Sequence, residues 1–147
     1  MNATTNTGLC KLVPPSVVAT ALEESMSFPS TLTRSSTTEC GYRGVHTANA
    51  AVIIRYDTDA SASSFVKYRT SFERRRLKLG SITGLGDQAY YFSDQVGHTT
   101  VTTVVLLKGS LQVLVTGTGA LDPIGSIARY TLAQYEATHP EDGPPQR

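Results

Sequence analysis

The stretch TTVTTVVLLKGSLQVLVTG, residues 99–117, decides the fold. Two runs rich in Val, Leu and Thr flank Lys108, Gly109 and Ser110. A Gly in a two-residue connection between β-prone runs marks a tight hairpin. Apolar residues stand at consecutive positions in Val104 to Leu107 and nearly so in Leu111 to Val115. Both faces of these strands are therefore expected to be at least partly covered, which places the pair in the middle of a sheet.

Outward from the hairpin, AYYFSD, 89–94, reads as a strand that turns at Gly97. AAVIIRYD, 50–57, is a strand of β-branched residues, and ECGYRG, 39–44, is another. Between the two groups, TDASASSFVKYRTSFERRR, 58–76, reads as a helix capped by Asp59, with Ala62, Phe65, Val66 and Phe72 on one face and Arg69 at its edge. VPPSVVATALEE, 13–24, is a short helix whose Pro14 and Pro15 sit in the first turn, where missing N–H groups cost little. SMSFPSTLTRSSTT, which follows it, reads as a Ser/Thr loop broken by Pro29. DPIGSIARYTLAQYEATH, 122–139, is a last helix with Asp122 as its cap, burying Ile124, Ile127, Ala128, Leu132 and Tyr135 and stopped by Pro140. The order is α-β-β-α-β-β-β-α. Strands that come in runs predict an α+β domain, one antiparallel sheet of about five strands with helices packed on it. Residues 1–8 read as a disordered Thr/Asn linker, 9–139 as the single domain and 140–147 as a flexible tail.

The 147 residues suit one domain with a core large enough to need no metal. Hydrophobic residues are 39% and charged ones only 17%, because Thr, Ser, Gly and Ala are abundant, a bias that suits an exported protein. The formal net charge of +1 provides no global field to recruit nucleic acid or an acidic membrane. No apolar run approaches the roughly 20 residues of a membrane span. MNATTNTGLC shows no basic and apolar leader, which leaves a cytoplasmic protein or a chain from which a signal or anchor has been removed. The second is the expectation here, with the protein in the periplasm, cell envelope or medium.

SITGLGDQAYYF, 81–92, contains G-x-G-x-x-A at Gly84, Gly86 and Ala89. A phosphate-cradling loop needs a strand before it and a helix N-terminus after it. Here a helix precedes and a β-prone run follows, so the glycines read as a tight entry into a strand, with Asp87 free to bond nearby amides. GTGALDPIG, 117–125, has the right context, but Asp122 stands where a phosphate would go. His46, His98 and His139 have no metal-ligand spacing, and no G-x-S-x-G elbow is present. No catalytic residue, metal or cofactor is expected.

Cys10 and Cys40 have neither zinc nor redox-motif spacing. They are either a disulfide closing about 30 residues or two buried thiols. Lys67, Arg69, Arg74, Arg75, Arg76 and Lys78 put six of the 13 Lys and Arg residues into one short segment. Its readings are a solvated helix end or a surface for an anionic ligand or acidic partner. Nucleic acid is not favoured, since no stacking aromatics interleave with these cations. Adjacent Tyr90 and Tyr91 must point to opposite faces, so one of them is available to line an uncovered sheet face. Arg69, Arg74, Arg75, Arg76, Tyr90 and Tyr91 are thus the candidate binding residues for an envelope protein or an anionic envelope ligand. The competing reading is an enzyme with a site assembled from Asp87, His98 and Tyr90.

The segment from Cys10-Lys11-Leu12, the Pro-led helix with Val17, Val18 and Leu22, Cys40-Gly41-Tyr42, and Gly84-Leu85-Gly86-Asp87 leading to Ala89-Tyr90 resembles small exported lipoprotein domains of unknown function common in actinobacteria. The likeness covers about residues 9–138. It departs at Val13-Pro14-Pro15, where a polar cap would stand, and at Ser16, where an acidic residue would. The resemblance implies Cys10–Cys40 pairing, an envelope location and no transferable catalytic residues. A lipid anchor enters through this resemblance alone.

Overall fold

The computed structural model describes residues 8–47 and 49–139. The tail expected at 140–147 and all but Gly8 of the expected linker lie outside them. After a single 3₁₀ turn at Leu9–Lys11 come α1 (Pro15–Leu22), β1 (Ser30–Arg34), β2 (Thr37–Arg43), β3 (Ala51–Asp57), α2 (Ala62–Arg74), β4 (Gly80–Ser81), β5 (Gln88–Val96), β6 (Thr99–Lys108), β7 (Leu111–Thr118) and α3 (Leu121–Thr138). The fold is α+β with one antiparallel sheet. The sheet has seven strands rather than about five, in the order β1-β2-β3-β7-β6-β5-β4.

The two extra strands are β1, inside the stretch expected as a Ser/Thr loop, and the two-residue β4. Every residue of β1 is exposed, so no alternation of buried and wet positions announces it. Its turn is disguised as well. Gly97 and Gly109 open the β5–β6 and β6–β7 turns with φ of +66° and +62°. Ser35 holds the same place between β1 and β2 at φ +54°, a conformation that costs a residue with a Cβ.

The β6–β7 hairpin is central, as its apolar runs require. It joins β3 through pairs such as Ile54↔Val115 and Tyr56↔Val113, and β5 through pairs such as Tyr90↔Val105. One face carries Tyr42, Ile54, Tyr56, Val104, Leu106 and Val115, buried beneath α3, α1 and the N-terminal turn. On that face the Tyr42 hydroxyl donates to the Val13 carbonyl at 2.6 Å, and a Cys10–Cys40 disulfide ties the N-terminal turn to β2. The second face is covered only in part. There α2 lays Phe65 and Phe72 over Tyr90, Phe92, Val105, Leu107 and Leu114.

Two caps differ from expectation. Ser61, not Asp59, caps α2, in a reciprocal pair of bonds with Ser64. The backbone N–H of Asp59 instead donates to the Asp57 carboxylate in the preceding turn. Ala120, with no side-chain bond, precedes α3, and Asp122 lies in its first turn.

Candidate functional site

The register places Leu32, Glu39, Arg55, Leu114, Val105 and Tyr90 in one row across the second face. α2 covers the Leu114–Tyr90 end of that row and leaves β1, β2 and β3 bare. The bare half is apolar at its centre. Leu32 is 55% exposed and Ile53 40%, and Phe28 beside them is 84% exposed. Gly41 lies between Ser30 and Ile53 in the pairing, and with no side chain it leaves a dip. The result is a shallow bowl of about 400 Å³, lined also by Glu39, Arg43 and Ala51.

Alternation along the strands puts Arg34, Arg43 and Arg55 on this same face. Arg55 Nε lies 3.8 Å from Glu39 Oε2. Arg34 and Arg43 form no ion pair among the described residues. An apolar bowl with the uncompensated Arg43 at its edge and Arg34 further along the same face suits a surface that is apolar in the middle and acidic at the rim.

The residues expected to bind are placed elsewhere. Tyr90 is wholly buried beneath α2, edge-on to Phe65 at 5.3 Å, so it offers no contact surface. Burial pushes its hydroxyl well above the ordinary tyrosine pKa. Tyr91 is half-buried on the α3 face, where its ring covers Gly80 so closely that a Cβ there would clash. Neither tyrosine lines the open half of the sheet.

Arg69 reaches over the Tyr90 ring, 5.5 Å from its centroid, and lies 3.8 Å from Glu73. Arg75 covers the Phe72 ring at 5.5 Å. Both guanidinium groups roof the aromatic cluster, which gives them a packing role. Arg74 and Arg76 are exposed at the C-terminal end of α2, and Arg76 takes φ +65°. This cluster remains a basic surface, on a different part of the molecule from the bowl.

The enzyme constellation is not assembled. Asp87 precedes β5 and His98 follows it, so the length of a nine-residue strand separates them, roughly 30 Å. Asp87 braces the hairpin: its N–H donates to the Leu107 carbonyl at 2.7 Å and its Oδ2 accepts from Gly109 N–H at 2.8 Å. Gly86 at φ +65° is the tight entry expected of this segment. The cleft at the second glycine loop is walled by Glu23 and Glu24, which would repel a phosphate. Among the described residues, no group of three His, Cys, Asp or Glu could hold a metal ion, and no helix is long and apolar enough to cross a membrane.

Comparison of the chain with protein-family models, curated proteins and solved structures returns no match.

Proposed function

We propose that this protein is an exported, non-catalytic binding domain that holds a partner protein against the open half of its sheet. The observation that carries the reading is the bowl around Gly41, where Phe28, Leu32 and Ile53 stay in water beside Arg43, with Arg34 further along the same sheet face. Single exposed apolar residues are ordinary on protein surfaces. Three around one depression form the kind of patch that marks an interaction site. The rim charges select the occupant, a protein surface that sets an apolar side chain between carboxylates. The buried Cys10–Cys40 disulfide supports an oxidising compartment, and hence export, since such bonds are rare where thiols are kept reduced.

A photo-crosslinking amino acid placed at Leu32 or at Ile53, in protein returned to its source cells, tests the site. Discrete crosslinked protein products are expected from both positions. None is expected from Val66, a comparably exposed apolar residue on α2. Products only from positions 74–76 would move the interface to the basic cluster. Products with lipid or glycan alone, or none, would remove the protein-partner reading.

A further inference from the structure

β1 forms one outer edge of the sheet, beside the bowl. The pairing phase fixes which of its backbone groups point outward. Thr58 N–H donates to the Ser36 carbonyl at 3.0 Å, so the even-numbered residues Thr38, Cys40 and Tyr42 of β2 bond to β3. The odd-numbered residues of β2 bond the other way, as Arg43 does where its carbonyl accepts from Ser27 N–H at 2.8 Å. Ser30, Leu32 and Arg34 pair with the odd-numbered Gly41, Glu39 and Thr37. The N–H and C=O groups of Thr31 and Thr33 therefore face away from β2. Among the described residues no strand or loop bonds to them. They lie along an edge whose five residues are all exposed.

A row of free backbone groups is a template for another strand, and proteins blunt such edges with short strands, prolines, charges or bulges. The opposite edge strand, β4, is blunted by its length of two residues. On β1, Pro29 precedes the strand and Arg34 ends it, so residues 31–33 carry no such device. The second face beside this edge has a distinct charge pattern. Leu32 lies between Arg34 on its own strand and, beyond Ser30 and the dip at Gly41, Arg43. Neither guanidinium group is in an ion pair among the described residues, whereas Arg55 is matched with Glu39.

We propose that β1 receives an extended segment of a partner protein as an added antiparallel strand, with the side-chain pattern acid-x-apolar-x-acid on the second face. This rests on the reading that a partner protein occupies the open half of the sheet, and it names how that partner is held. Thr31 and Thr33 exchange N–H···O=C bonds with the two residues x. The apolar residue stands opposite Leu32 in the closer kind of pair, about 4.5 Å between Cα atoms. One acid stands opposite Arg34. The other stands opposite Ser30 and extends over Gly41 toward Arg43, about 12 Å away between Cα atoms, a span that two long side chains close. A second copy of this chain fits less well. Two β1 strands related by a two-fold axis at Leu32 would set Ser30 opposite Arg34, and β1 supplies no carboxylate there.

The test uses the whole isotope-labelled protein and the end-capped peptide Thr-Glu-Thr-Leu-Thr-Glu-Thr, read by NMR titration and amide exchange. Saturable binding is expected, with slowed exchange at the Thr31 and Thr33 amides. Replacing both Glu of the peptide by Lys should weaken binding about tenfold or more. Thr33→Pro removes an outward donor and leaves the β1–β2 bonds in place, and should weaken binding about tenfold. N-methylation of the two inner Thr of the peptide should do the same with the protein unaltered, which separates the effect from any folding defect. No saturable binding, no protection of these two amides, equal binding of the Lys peptide, or undiminished binding with either Thr33→Pro or the methylated peptide would overturn the proposal. So would a dimer in sedimentation that Thr33→Pro dissolves, since the occupant would then be a second copy. Crosslinks from Leu32 and Ile53 that persist in the Thr33→Pro protein would overturn strand addition and leave the partner reading intact. Loss of that reading shows instead as no crosslinked protein from the unaltered edge.

Discussion

Replacing both cysteines with alanine tests how the N-terminal segment is held. The Cys10–Cys40 bond closes a separation of 30 residues with 5.5 Å between its Cα atoms. In the chain-entropy treatment that constraint removes about 12 cal/mol/K from the unfolded chain, or about 3.6 kcal/mol at 25 °C. Both residues are buried in the core, Cys40 completely, so losing the sulfurs adds about 1 kcal/mol of lost packing. Roughly 130 ordered residues give an unfolding entropy near 0.28 kcal/mol/K, so the midpoint should fall by about 13–16 °C. Melts followed by circular dichroism on the oxidised protein, the reduced protein and the double alanine variant measure this directly. Hydrogen exchange checks the alternative, local release of Leu9–Leu22 from the sheet, which would expose α1 without moving the main transition. A fall of less than about 4 °C, with α1 still protected, would refute the reasoning. It would mean that the Tyr42–Val13 bond and the packing of Leu9 and Val18 hold the segment unaided.

Burial pushes the Tyr42 hydroxyl up to about 12 and raises those of Tyr56 and Tyr90 further. The unfolded chain releases these protons near pH 10 while the folded chain keeps them. Their stabilisation is therefore complete below pH 10 and declines as pH rises toward 12, by about 2.7 kcal/mol for Tyr42 alone. Tyrosinate absorbance should show these three ionising only as the fold is lost, and titration of all seven tyrosines near pH 10 with unchanged circular dichroism would contradict it. Ser35→Gly should stabilise the protein by about 0.5–1 kcal/mol in urea unfolding, because Ser35 occupies a left-handed turn position. Gly86→Ala should cost more than about 2 kcal/mol, since its φ is +65° and a Cβ would stand 2.7 Å from the Leu107 carbonyl oxygen.

What the sequence made legible follows from where its signals are local. The central hairpin is visible because Gly109 marks the turn and the apolar runs on both sides need two covered faces. The disulfide is visible as a possibility because there are only two cysteines. β1 is hidden for the opposite reason. Its five residues bury nothing, and its turn uses Ser35 where the other two tight hairpins use glycine. The placing of the two tyrosines turns on a nonlocal fact. Strand alternation correctly sends Tyr90 and Tyr91 to opposite faces, but it does not say which half of which face is bare. That depends on the position of β5 in the sheet and on the path of α2, neither of which any short stretch encodes. Arg69 and Arg75 show the same limit: a cation on a helix reads as surface until the aromatic ring beneath it is known. Phe28, Leu32 and Ile53 went unread because a lone apolar residue in a loop or strand carries no weight until the chain brings three together.

The bare half-face is a consequence of topology. α2 must carry the chain from β3, third in the sheet, to β4 at the far edge, so it crosses the β7-β6-β5 side only. Its 13 residues span about 20 Å. Seven strands are about 29 Å wide. One such helix on this path cannot also roof β1 and β2. α1 and α3 are committed to the opposite face, where they bury the Tyr42, Ile54 and Val115 layer. Among the described residues no element remains to cover the second face of β1, β2 and β3. If that half served only as the outside of a meander, polar residues at positions 28, 32 and 53 would cost the fold little. The chain's own packing buries only part of these side chains, with Ile53 40%, Leu32 55% and Phe28 84% exposed, and that residual apolar surface is what the proposed partner would cover.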